Sequence, residues 1–130
     1  WVYDGVIVNT GGPGRPFADE QVDEIIKTLS QRENPLIVMG DFNCDWSTPD
    51  SALRRLPREL HLSAYEPEAP DHVTYPPRNI RYDWILISDE LEFKSYQVII
   101  NRISDHLAVV SEIVLQETAM GTDFQDELGG

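Results

Sequence analysis

Cysteine is almost absent: Cys44 is the only one in 130 residues. No intrachain disulfide can form and a cysteine-rich zinc site is excluded, so a reducing, cytoplasmic setting is the simpler expectation. Basic residues are also scarce, with 10 Lys and Arg against 23 Asp and Glu and a formal net charge of -13. That balance opposes non-specific attraction to a phosphate backbone and disfavours a general DNA-binding module. Long apolar runs are missing too. None approaches the roughly 20 residues that span a bilayer, and Trp1-Val2-Tyr3-Asp4 lacks the basic and apolar regions of a signal peptide. There is no initiator Met, and the chain enters an apolar segment at once. Both features set the expectation that residues precede Trp1.

What is present suits one soluble domain, because 41% of the residues are hydrophobic and can form a modest core. Gly5-Val6-Ile7-Val8-Asn9 reads as a buried strand, bounded by the Gly/Pro loop Gly11-Gly12-Pro13-Gly14-Arg15-Pro16. Over residues 18–32, Val22, Ile25, Ile26 and Leu29 recur at the spacing of one helix face, with acidic residues in the first turns. Residues 36–39 form a second, fully apolar strand ending at Gly40. Thr48, as cap, and Pro49, at the first position, predict a short helix in which Leu53 and Leu56 form an apolar stripe before Pro57 disturbs it. Further strands are expected at residues 73–75, 83–87, 93–100 and 107–115, so the second half is mostly sheet. The tail, residues 117–130, is acidic, without Lys or Arg, and is read as flexible.

Polar residues cluster where the apolar strands end, as active sites do in open α/β sheets. In Gly40-Asp41-Phe42-Asn43, Gly40 allows a sharp turn, Asp41 offers a carboxylate to a hard cation or a water, and Asn43 offers an amide to a phosphate oxygen. The same residues would also serve a plain strand-end turn. Asp83, in Arg81-Tyr82-Asp83-Trp84, opens an apolar strand and therefore needs a partner. Arg78 or Arg81 could supply one, or Asp83 could orient a histidine. Ser104-Asp105-His106 precedes the last strand, and its Asp and His, alternating in direction, can serve metal and phosphate separately. A turn Asp and a surface His is the plainer alternative.

In this order the three segments resemble the endonuclease/exonuclease/phosphatase superfamily. Gly40-Asp41-Phe42-Asn43 is similar to its G-D-F-N or G-D-L-N motif, Tyr82-Asp83-Trp84-Ile85-Leu86 to its I-D-Y-I-L strand, and Ser104-Asp105-His106 to its terminal S-D-H. Thr74-Tyr75-Pro76 resembles the T-F or T-Y segment ahead of the second motif. The resemblance implies an α/β fold: half of a DNase I-like four-layer α/β/β/α sandwich, with a mixed, mostly antiparallel sheet and helices on one face. Residues 1–116 would be the C-terminal half of the catalytic domain. It also implies a metal-dependent phosphoesterase acting by in-line attack of water, with Mg²⁺ or Mn²⁺. Asp41 and Asn43 would contact the water and the phosphate, Asp105 with Asp41 would bind metal, and Asp83 would orient His106 beside the phosphorus. The substrate would be a phosphoester: a small molecule, a lipid head group or a nucleic acid.

Two departures matter. The family's N-T-H-L histidine is replaced here, where Asn9-Thr10 is followed by Gly11-Gly12. Its early Asn and Glu metal ligands belong to a first half that precedes Trp1 in the pattern. A lone second half would leave a sheet face open and self-associate, so the alternatives are a non-catalytic binding or assembly module, or a truncated, self-associating half-domain. Of the other residues, Trp46 could line a cleft or pack, and Arg54, Arg55 and Arg58 could meet a second phosphate or simply be solvated. His61 and His72 lack ligands at metal-site spacing.

Overall fold

A computed structural model describes residues 1–9, 19–101 and 103–116. The Gly11-to-Pro16 loop and the acidic tail lie outside the described residues. The strands are β1 (Asp4–Asn9), β2 (Leu36–Asp41), β3 (Leu62–Ala64), β4 (Asp83–Ser88), β5 (Leu91–Ile99) and β6 (Ala108–Leu115). The helices are α1 (Asp19–Leu29) and α2 (Ala52–Leu60), with a single 3₁₀ turn at Pro76–Arg78.

The first four strands form one sheet in the order β1-β2-β4-β3. β1 runs parallel to β2 through the α1 crossover, and the β2-β4 and β3-β4 pairs are antiparallel. The sheet is therefore mixed and mostly antiparallel, as expected. β2 and β4 read as unbroken apolar runs because both of their faces are covered. On one face Leu36, Val38, Trp84 and Leu86 meet Val22 of α1 and Leu53, Leu56 and Leu60 of α2. Both helices thus lie on the same side. On the other face Ile37, Ile85 and Ile87 pack against Leu91, Phe93, Tyr96, Val109 and Ile113. Those residues belong to β5 and β6, which pair with each other as a separate two-stranded sheet.

The layers are thus helices, a four-stranded sheet and a two-stranded sheet. The mixed sheet with its helices on one face is as expected, and the face expected to stand open is in large part covered by the chain's own C-terminal hairpin. Ile7, on the β1 edge of the same face, stays 83% exposed. No described helix is long and apolar enough to cross a membrane.

Three local expectations are corrected. α2 starts later than Thr48: Ser51 is its cap, its side chain accepting from the Arg54 N–H at 3.3 Å, while Thr48 gives its carbonyl to the Ser51 hydroxyl. Pro57, expected to disturb the stripe, does not interrupt α2. It lies buried inside the helix, which closes three residues later where His61 turns left-handed (φ 57°) and its N–H reaches the Pro57 carbonyl. Residues 73–75 form no strand, only one bridge between Tyr75 and Ile80. Pro76 and Pro77 cannot donate to a ladder, so the chain turns in a 3₁₀ segment instead.

Candidate active site

The site begins with strand register. β2 and β4 place Asp41 directly opposite Asp83, and β1 places Asn9 opposite Asp41. Side chains alternate along a strand, so Asp41 shares the face of Ile37 and Met39, and Asp83 that of Ile85 and Ile87. The two carboxylates stand side by side where the face packed by the hairpin runs out. Like charges directly opposite one another repel, and His106 offsets this. Its Nδ1 lies 2.7 Å from Asp83 Oδ2, and its Nε2 lies 3.7 Å from Asp41 Oδ2.

Backbone bonds hold these positions. Gly40 has φ +147°, and a Cβ there would sit 1.9 Å from the Val8 carbonyl oxygen, so no other residue fits. The chain then turns through Asn43, whose φ of 54° is left-handed and whose N–H donates to Asp41 Oδ1 at 2.9 Å. The Phe42 N–H reaches the Tyr82 carbonyl at 2.8 Å, joining the ends of β2 and β4.

Thr74 ties in the third segment. It is fully buried, and its Oγ1 accepts from the Tyr82 and Asp83 N–H groups at 2.9 and 3.0 Å. Its carbonyl accepts from the Leu107 N–H at 2.8 Å. One residue therefore fixes both Asp83 and the segment bearing His106. The Tyr75 ring lies 5.0 Å from the imidazole and 5.1 Å from the Tyr82 ring.

The environment biases the charges. Burial pushes the Asp41 carboxyl above the usual range, against the Asn43 N–H and the imidazole, which pull it down, and with the Asp83 charge, which adds to the rise. Burial alone would lower the His106 pKa. The Asp83 hydrogen bond and the charges of Asp83, Asp41 and Asp105 together outweigh it, and the imidazole is raised above its ordinary value.

Of the residues expected from sequence, Asp41, Asp83 and His106 converge, with one ligand atom of each inside a 4.8 Å span. Two carboxylates and an imidazole form a donor set that fits a divalent cation. Asn43 lies at the same strand end. Asp105 is exposed and is not part of that cluster of three. Neither Arg78 nor Arg81 takes Asp83, which His106 holds. Arg55 pairs with Asp23 of α1 at 2.6 Å, and Arg58 lies 3.6 Å from Glu59. His72 finds Glu66 at 2.8 Å, a contact absent from any local spacing. Sequence reading missed the positioning role of Thr74 and the placement of Tyr75. The only local signal was their place in the Thr-Tyr-Pro segment.

The geometry agrees with two kinds of comparison. The sequence model of the Endonuclease/Exonuclease/phosphatase family matches residues 2–106. Among solved structures, an endonuclease/exonuclease/phosphatase family protein from Leptotrichia buccalis superposes with a TM-score of 0.59 at 23% identity, covering 79% of this chain and 45% of that one. The human Nocturnin catalytic domain with bound sulfate gives 0.55 at 22% identity, covering 74% and 38%. A functionally unknown conserved protein from Enterococcus faecalis gives 0.53 at 16%, covering 74% and 42%. The chain thus spans less than half the length of these structures, and at such identities the likeness bears on fold alone. No curated protein matches. Because the matched region runs through all three strand-end motifs and into His106, the chain belongs to the Endonuclease/Exonuclease/phosphatase family.

Proposed function

We propose that this chain is the C-terminal half of a catalytic domain that hydrolyses a phosphoester by in-line attack of water. The observation that carries the reading is the Asp83–His106–Asp41 line, with its 2.7 Å Nδ1 contact. Asp83 accepts the Nδ1–H and fixes the tautomer and orientation of the ring, leaving Nε2 as the working nitrogen. There His106 donates to a phosphoryl oxygen as negative charge develops. Asp41 holds the attacking water, Asn43 contacts the phosphate, and Thr74 keeps Asp83 in place. Asp41, with Asp105 from the neighbouring segment and ligands from the first half of the domain, would hold Mg²⁺ or Mn²⁺, which would supply charge stabilisation at the phosphoryl oxygens.

The surface supports a missing half. Among the described residues β6 pairs with β5 alone, and Ile7, Ile100 and Ile103 are 83%, 84% and 94% exposed. Such a strand edge and such exposed isoleucines are what pairing with another sheet would cover. A second copy would compete for the same surface when the first half is absent. The test of the enzymatic reading is hydrolysis of bis(p-nitrophenyl) phosphate with Mg²⁺, for the chain joined to its first half and for Asp105→Ala. Metal-dependent turnover that the substitution abolishes supports it. Turnover indifferent to metal or to Asp105 rules it out.

A second reading, a binding module without catalysis, is favoured by Gly11 at the position of the family's histidine. Phosphate-ester binding without turnover in that complete domain would select it.

A further inference from the structure

A cavity of about 470 Å³ lies between the loop after β2 and the loops before β4. It adjoins the candidate site through the chain on both sides. Asp45 and Trp46 follow Asn43 closely, and Arg81 stands two residues before Asp83. The Trp84 indole N–H bridges these walls, donating to the Cys44 and Arg81 carbonyls at 3.1 Å each.

Two guanidinium groups line this cavity, and both make their hydrogen bonds to neutral oxygens. Arg54 Nη1 donates to the Trp46 carbonyl at 2.6 Å, with its Cζ 4.7 Å over the Trp46 ring. Arg81 is only 6% exposed and donates to the Glu66 and Tyr65 carbonyls and the Tyr96 hydroxyl, with its Cζ 3.9 Å over the Trp84 ring. Its Nε is buried without a protein acceptor. By contrast Arg32 meets Glu90 and Arg55 meets Asp23. Among the described residues the two cavity arginines therefore have no carboxylate partner, and one of them is deeply buried. A buried cation is ordinarily paired. On the acidic side, Glu68 is exposed and screened by water, and Asp45 already accepts from the Ser47 N–H at 3.0 Å. The cavity lining thus carries two arginines and two carboxylates, and of these four charged side chains Arg81 is the buried one.

We infer that this cavity is a second anion subsite, holding a phosphate or carboxylate group that the substrate carries besides the scissile phosphate. Arg54 and Arg81 face the anion, and Trp46, Val73 and Ile80 pack the body that bears it. The assignment deepens the phosphoesterase reading and rests on it for the identity of the ligand. Its test does not require turnover.

Two of the three tryptophans line the cavity, so intrinsic fluorescence reports its occupancy. Phenyl phosphate and benzoate are titrated without divalent metal into the chain, Arg54→Gln and His106→Ala, and urea midpoints confirm that each variant is folded. Saturable, salt-sensitive binding is expected. Arg54→Gln weakens it about tenfold or more, as loss of one charged hydrogen bond does, and His106→Ala leaves it unchanged. The tighter of the two probes identifies the anion as phosphate or carboxylate. Arg81→Lys keeps the charge and serves as the second variant, with weaker binding expected because the ammonium loses the planar fork. No binding, or binding that His106→Ala removes, or binding that both arginine variants retain, overturns the proposal.

Discussion

Replacing Thr74 by Val removes a hydroxyl and little else, since the side chains are nearly isosteric. Two backbone donors depend on that oxygen: the Tyr82 N–H, which is buried, and the Asp83 N–H, which is partly so. A buried donor left without a partner costs about 1–3 kcal/mol, and water can compensate the second more readily than the first. The expected loss is about 2–4 kcal/mol, a large part of the 5–15 kcal/mol typical of a domain. Thr74→Ser keeps the oxygen and deletes one methyl, which costs roughly 1 kcal/mol. Urea denaturation separates the two. With a slope of about 2 kcal/mol/M, Val lowers the midpoint by roughly 1–2 M and Ser by about 0.5 M, both with the slope unchanged. The reasoning is refuted if Val is no worse than Ser, because the hydroxyl would then not be the group that holds β4.

Other outcomes follow from the same contacts. Gly40→Ala forces a Cβ to within 1.9 Å of the Val8 carbonyl; it should cost more than about 3 kcal/mol and expose the β1-β2 amides to hydrogen exchange. Leu53→Ala, at a fully buried α2 position, should cost about 2–5 kcal/mol in the same urea experiment. NMR of the metal-free chain should show His106 titrating above its ordinary range, and Asp83→Asn should bring it down. The raised value stabilises the fold below the ordinary histidine pKa of about 6.5. That contribution is lost as pH rises through the folded value, so Asp83→Asn should flatten the pH dependence of stability in that window.

The sequence made some elements legible for a physical reason. Leu36 to Met39 and Trp84 to Ile87 announced themselves because strands covered on both faces carry no polar alternation. α1 was legible from Val22, Ile25, Ile26 and Leu29. β3, at three residues, is too short to leave a pattern. The start of α2 was misplaced because Thr48 and Ser51 are both good caps, and only tertiary packing chose between them. At the site, Asp41, Asp83 and His106 were legible because each is a polar residue at the end of an apolar strand. The work of Thr74 was not, since its partners lie eight and nine residues away and a Thr between Val and Tyr looks like any strand residue. The cavity was equally hidden. Nothing local shows that Arg81 turns away from Asp83 and lies over Trp84.

The most direct test of the central claim is the steady-state rate of Mg²⁺-dependent hydrolysis of bis(p-nitrophenyl) phosphate by the complete catalytic domain, compared with its His106→Ala variant. If His106 works at the phosphorus as the Asp83 contact implies, the rate falls by about 10²–10⁴ while urea denaturation shows the variant still folded under the assay conditions. A variant that hydrolyses within about twofold of the original would contradict the account.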